Sequence, residues 1–547
     1  MLRALIVLAA MAGVLALPFA FRESGETAPR DSSHTADVLT IITPHNETIR
    51  AEFAFAFRKH MERSAGRRVQ VEWRTLGGTS EIEHFLDTSF TYAFRRYWIE
   101  DLQRSWDDLR AGERFDDPRL TLPSDPAGDD LSQQARRAFL TSNVGVGIDL
   151  FFGGGPYPFI LHGAKGHLVD PGIFESHPDW FSDAVIPSSY SGEPFYDPEK
   201  RWIGACLSTF GICSNSDSLD RLGLDFSDPR WSDLADPRLF GQVALADPTK
   251  SGSAAKAFEM VIQEQMRLAI EAARKENGTA PLASGREQEA VAAGWDDALR
   301  LLQRIAGNAR YFSNIAPRIP LDVAQGDAAA GMCIDFFGRT YNERLRDDNG
   351  VSRVQYVTPA NGSSTTVDPI AMLRGAPNPE LARSFIEFVL SPGGQRLWNY
   401  RPGLPGGPQH IALRRLPIRR DLYTPNELRW FSDPDELPFD RGIDFTYEPS
   451  WTASVFSPIR FVLKCACLDA HDELRQAWQA LIRHGFPPEA TQTFHDLSPV
   501  SYSEATGPIA ATLRSGDPVA ELRLARRLTQ HFRQRYREAA SLARANR

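Results

Sequence analysis

The chain has 547 residues, 42% hydrophobic and 24% charged, so it is long enough for two or three globular domains. Its net charge of −9 excludes a broad basic surface, and nucleic acid is not an expected partner. The five cysteines form no Cys-x-x-Cys pair, so a structural zinc site is not expected and neither metal nor cofactor is assigned.

The N-terminus, Met1-Leu-Arg followed by an apolar run to Phe21, reads as an export signal over residues 1–21. Its length is close to a bilayer span and its cleavage site is poor, so a membrane anchor over residues 4–21 is the second reading. No cysteine lies nearby to carry a lipid. Residues 22–36 are polar, with Pro, Ser and Gly, and read as a linker. Val38 to Ile42 is a short strand, Pro44 to Ser64 an amphipathic helix, and Val69 to Trp73 a second strand. Gly77-Gly78 then turns the chain, and Ser80 with Glu83 suggests a capping box for the next helix. This alternation predicts α/β architecture with a parallel sheet. From about Asp101 to Ser142 the chain is rich in Asp, Pro and Arg and reads as a partly helical insertion.

Ile148 to Phe152 is the next strand, ended by Gly153, Gly154 and Gly155. Leu207 to Cys213 and Val243 to Ala246 read as strands of a second lobe. The latter stops at Asp247-Pro248, because a proline cannot donate to a ladder. Thr249-Lys250-Ser251-Gly252-Ser253 follows and opens a helical pattern through Phe258 and Ile262. The first amides of such a helix lack intrahelical partners, and no Glu or Gln stands three residues after Ser251 or Ser253 to complete a reciprocal cap. The turn is therefore a candidate anion site, with a plain serine N-cap as the alternative. Trp295 to Ile305 is helical, Ala328 to Phe337 is strand-like, and Val354 to Thr358 is another strand. Pro379 to Leu397 is a helix stopped or kinked at Pro392. Further on, Asp469 to His484 is helical, and Val519 to Arg547 is a basic amphipathic helix with a solvated face. Docking to an anionic surface is the other reading of that last helix. Cys206 and Cys213 could bridge in an oxidising compartment.

Several segments together, Val38-Leu-Thr-Ile-Ile-Thr-Pro-His-Asn-Glu47, Gly77-Gly-Thr-Ser-Glu81, Ile148-Asp-Leu-Phe-Phe-Gly-Gly-Gly155, the Val243 to Ser253 turn, Gln325-Gly-Asp-Ala-Ala-Ala-Gly331 and Pro379 to Val389, carry a resemblance. Their order over residues 37–420 resembles the extracellular solute-binding proteins of ABC importers, in the branch that includes ferric-binding proteins. The resemblance implies a two-lobed periplasmic-binding-protein-like fold of type 2, with a mixed, mostly parallel sheet in each lobe. Lobe 1 is expected over 37–152 and 365–423, lobe 2 over 153–364, and a largely helical extension packing on lobe 1 over 424–547. It implies a periplasmic monomer that captures a small solute, passes it to an ABC permease and does no chemistry. No nucleophile elbow, phosphate-binding Walker loop or His-Glu-x-x-His helix is present, and His162 and His167, five apart, lack helix-face metal spacing.

In such a fold ligand groups stand at the C-terminal ends of strands, in the crevice between lobes. That selects His45, Asn46, Thr79, Ser80, Gly154, Gly155, Thr249, Ser251, Gly252, Ser253, Asp335 and Tyr341. The ferric-binding relatives use a His, matched by His45, a Glu, whose place falls at about Gly154, and a tyrosine pair, which falls at Phe336-Phe337. Phenylalanine has no ligating oxygen. A phosphate- or phosphonate-bearing solute is therefore the leading expectation. Ferric iron, a sensory role and an enzyme on the same scaffold are the alternatives.

Overall fold

The computed structural model describes residues 36–106, 115–278, 282–441 and 445–545. The expected leader and all but the last linker residue lie outside this range.

Two sheets organise the chain. The first runs in the order Leu416–Pro417, Trp202–Ser208, Thr366–Leu373, Leu150–Phe152, Asp37–Ile42 and Val69–Arg74, with Leu168–Val169 beside Thr366–Leu373. The second runs Ala309–Ser313, Val243–Ala246, Ala330–Ile334, Phe210–Asn215, Val354–Val357. The helices Glu47–Ala65 and Thr79–Glu100 follow the first two strands as the alternating pattern predicts. Apolar side chains such as Leu39, Ile41, Phe53, Phe57, Phe151 and Phe152 fill the first core, and Val243, Leu245, Val261, Leu302 and Ile305 help fill the second.

Three expectations need correction. Both sheets are mixed, but neither is mostly parallel. The Asp37–Ile42 strand pairs in parallel with both neighbours, whereas Thr366–Leu373 is antiparallel to Leu150–Phe152 and to Trp202–Ser208. The strands at the crossovers return against the direction of the βα units. The lobe boundary also moves. Trp202–Ser208 belongs to the first sheet and Phe210–Asn215 to the second, so the chain crosses at Thr209 rather than at residue 153. It returns between Val357 and Thr366, and at this hinge the hydroxyls of Thr209 and Thr358 lie 3.3 Å apart. Cys206 and Cys213 consequently fall on different sheets, and all five cysteines are free thiols.

The third correction concerns the C-terminal extension, which is helical as expected but covers mainly the second lobe. Its helices His471–Arg483, Pro488–Phe494 and Pro518–Ala545 enclose the outer face of Ser284–Asn308. The second-lobe helices carry apolar and polar anchors for it. Trp295 Nε1 donates to Val500 O at 2.9 Å, and Trp478 Nε1 donates to Asn308 Oδ1 at 2.7 Å. Gln303 Nε2 donates to Tyr536 Oη at 3.1 Å. Leu524, Leu528, Phe532, Tyr536 and Ala539 form the buried stripe of the last helix, and several of its arginines find acidic partners within the extension, Arg537 with Glu473 and Arg535 with Glu538 among them.

Candidate functional site

The cleft between the lobes is a cavity of about 260 Å³. Lobe 1 presents His45 and Asn46 after the first strand, and Thr79 at the start of the next helix. Two glycines permit this approach. Gly153 (φ +91°) and Gly154 (φ +94°) adopt the left-handed backbone that side chains avoid. A Cβ on Gly153 would meet the His45 ring at 2.4 Å, and one on Gly154 the Thr79 methyl at 2.2 Å.

Lobe 2 presents the front of the Gly252–Asn277 helix. Ser251 is its N-cap, its hydroxyl accepting from Ala254 N at 3.2 Å. Gly252 N donates across the cleft to Thr79 Oγ1 at 3.2 Å. Of the first three amides, that of Ser253 has no partner among the described residues. It carries the positive end of the helix dipole into the cleft.

The floor holds a group the sequence reading missed. Arg415, whose side chain is 2% exposed, forms an ion pair with Asp368 and donates to Ser208 Oγ at 2.9 Å. Its guanidinium lies 4.4 Å from the centre of the Phe336 ring, and its Nε has no hydrogen-bond partner among the described residues. Among the described residues neither nitrogen of the buried His45 ring has a hydrogen-bond partner, and its Nε2 stands 3.7 Å from Asp368. Burial, reinforced by Arg415 and Arg50, pushes its pKa well below the usual histidine range, so the imidazole is neutral.

Of the expected residues, His45, Asn46, Thr79, Gly154, Ser251, Gly252 and Ser253 meet around this cavity. Gly155 caps the Pro156–Lys165 helix and lines an adjoining chamber. Ser80, Thr249, Asp335 and Tyr341 do not line the cleft. Ser80 accepts from Arg460, and its expected capping box is made instead at Gly78, whose N–H donates to Glu81 at 3.0 Å. The Thr249 hydroxyl turns back to Asp247 at 2.6 Å. Asp335 is fully buried and paired with Arg339 at 2.9 Å. Tyr341 packs on the second-lobe core.

The family model for bacterial extracellular solute-binding proteins matches residues 148–423, half of the chain. The chain belongs to that family. A protein of Haemophilus influenzae described as uncharacterized is 23% identical over 253 residues, 46% of this chain and 60% of the relative. The match thus spans less than two thirds of that relative. Among solved structures, AfuA of Actinobacillus pleuropneumoniae, a periplasmic binding protein with fructose-6-phosphate bound, is 16% identical with a TM-score of 0.42. It covers 66% of this chain and 82% of its own. Iron-bound HitA of Pseudomonas aeruginosa is 16% identical with a TM-score of 0.44, covering 78% and 98%.

In this solute-binding protein the pair Phe336-Phe337 lines the cleft, where it offers rings and no oxygen donors. Arg415 had one sequence signal: it interrupts the apolar run Ile411-Ala-Leu-Arg-Arg-Leu-Pro-Ile418. A second surprise lies away from the cleft. His162 and His167 meet with Nδ1 atoms 2.8 Å apart, because Gly166 ends the helix in a left-handed turn and swings His167 back. Asp87 joins them to make a group of donor atoms within 4.8 Å. The Lys165 ammonium holds Asp87 at 2.6 Å, while the buried Nε2 atoms of both histidines have no hydrogen-bond partner among the described residues. Burial pushes both imidazoles down to about 3.

Proposed function

We propose that this solute-binding protein captures a small anionic solute, bearing a phosphate or phosphonate group, in its interlobe cleft and delivers it to an ABC permease outside the cytoplasm. The observation that carries the reading is the unpartnered Ser253 amide at a helix N-terminus, facing a cleft whose floor holds Arg415. Oriented amides and a guanidinium are donors only, which suits phosphate oxygens. His45 and the Thr79 hydroxyl add neutral hydrogen-bonding groups. Ferric ion is less suited to this set. It calls for several anionic oxygens, whereas the cleft's carboxylate, Asp368, is already paired with Arg415.

The test is a thermal-shift screen of phosphates, phosphonates, sugar phosphates and ferric salts. Phosphorylated or phosphonylated compounds should raise the melting temperature of the wild-type protein. Ser251→Ala with Ser253→Ala should weaken that response by about tenfold in apparent affinity and leave the fold intact, since an N-cap contributes about 1 kcal/mol. A shift with ferric salts alone would overturn the reading.

A further inference from the structure

Beside the anion cleft lies a second chamber of about 210 Å³, and the two share Thr79, Gly252, Ser253 and Asp368 as common walls. Its apolar lining comes from both lobes and the extension. Lobe 1 gives Tyr157 and Pro158, the second sheet gives Phe210, and the C-terminal extension gives Pro449, Ala453 and Phe456. Carbon dominates these surfaces. The charged groups at its edge are spoken for. Lys256 is held by Glu193 at 2.7 Å and Glu259 at 2.9 Å, and lies 3.8 Å from the centre of the Tyr447 ring. Arg460, from the extension, donates to Pro248 O at 3.0 Å and Thr249 O at 2.8 Å, and also reaches Ser80. Two uncommitted polar atoms remain: among the described residues the buried Glu83 Oε1 and Thr366 Oγ1 have no hydrogen-bond partner.

A cavity of roughly 150 Å³ lined by carbon accommodates a benzene molecule. This chamber is larger, adjoins the anion cleft at Ser253, which lines both, and offers polar anchors at Glu83 and Thr366. We propose that the solute is an anion joined to an uncharged, ring-sized apolar body, with the anion at Ser253 and the body in the chamber that the C-terminal extension walls. The inference rests on the cleft being an anion site. It assigns the extension a selective role: Pro449, Ala453 and Phe456 determine which bodies fit, and a bare anion has nothing to place there.

Titration calorimetry with inorganic phosphate, methyl phosphate and phenyl phosphate tests this. Wild-type protein should bind phenyl phosphate at least tenfold more tightly than methyl phosphate. Ala453 is exposed at the chamber wall, so Ala453→Trp should fill the space without disturbing the core. That variant should lose the phenyl advantage and keep its affinity for inorganic phosphate. Ala453→Leu, a smaller change, carries the same test if the tryptophan variant does not fold. Equal binding of phenyl and methyl phosphate, or a variant that weakens all three ligands alike, would overturn the chamber assignment and leave the anion site standing. Failure of all three to bind wild-type protein would remove the anion site and this inference with it.

Discussion

Asp368, in the Thr366–Leu373 strand, and Arg415, just before the Leu416–Pro417 strand, meet at the cleft floor, where each charge makes the burial of the other tolerable. Neither is visible as a partner of the other in the sequence, because the pairing depends on the return of the chain to the first sheet. Ser251, by contrast, was legible: a serine after a strand-ending Asp-Pro and before a helical stripe is an N-cap by local chemistry alone. Asp335 illustrates the limit of that logic. It follows the end of a strand, but Arg339 one helical turn on takes its carboxylate inward. Glu83 carries a consequence at this scale. Burial outweighs the nearby Arg460 and lifts its carboxyl to about 7, from an ordinary value of 4.5. Between those values the folded state holds a proton that the unfolded chain has lost. Its stabilising contribution is therefore complete below pH 4.5 and disappears as pH rises through about 7. Glu83→Gln removes this dependence. Its melting temperature relative to wild type should climb between pH 5 and pH 8; a constant difference across that range would contradict the assignment.

The helices show where periodicity suffices and where it stops. The Gly252–Asn277 helix begins where the sequence places it. The Pro379 pattern resolves into Pro379–Leu390 and Pro392–Asn399, parted at Ser391, because Pro392 begins a helix better than it continues one. An amphipathic stripe predicts that a face is buried, but not against what. That is why the extension was legible as helical while its seat on the second lobe was not. The seat depends on Trp478, 2% exposed, lying where Gly307 leaves room: a Cβ there would stand 2.7 Å from its ring. Trp478→Ala should cost about 4 kcal/mol by opening a cavity at this junction. Chemical denaturation measures it, and a loss below about 1 kcal/mol would mean that the extension is not tightly seated.

Across the whole molecule, two α/β lobes were legible from the alternation of elements and the order of the motifs, whereas the crossover at Thr209 was not, because two adjoining strands look alike in composition whichever sheet they enter. The extension also ties the lobes together. Arg460 reaches Ser80 in lobe 1 and the 248–249 carbonyls in lobe 2, and Tyr157 meets Ser457 at 2.7 Å. Around these contacts the cleft and the chamber lie side by side, sharing Thr79, Gly252, Ser253 and Asp368. An anomalous difference map from crystals grown with arsenate, a heavy analogue of phosphate, locates the anion directly. The arsenic peak should lie between the lobes, within hydrogen-bonding reach of the Ser253 amide; a cleft without a peak, in crystals that bind arsenate only on outer surfaces, would contradict the account.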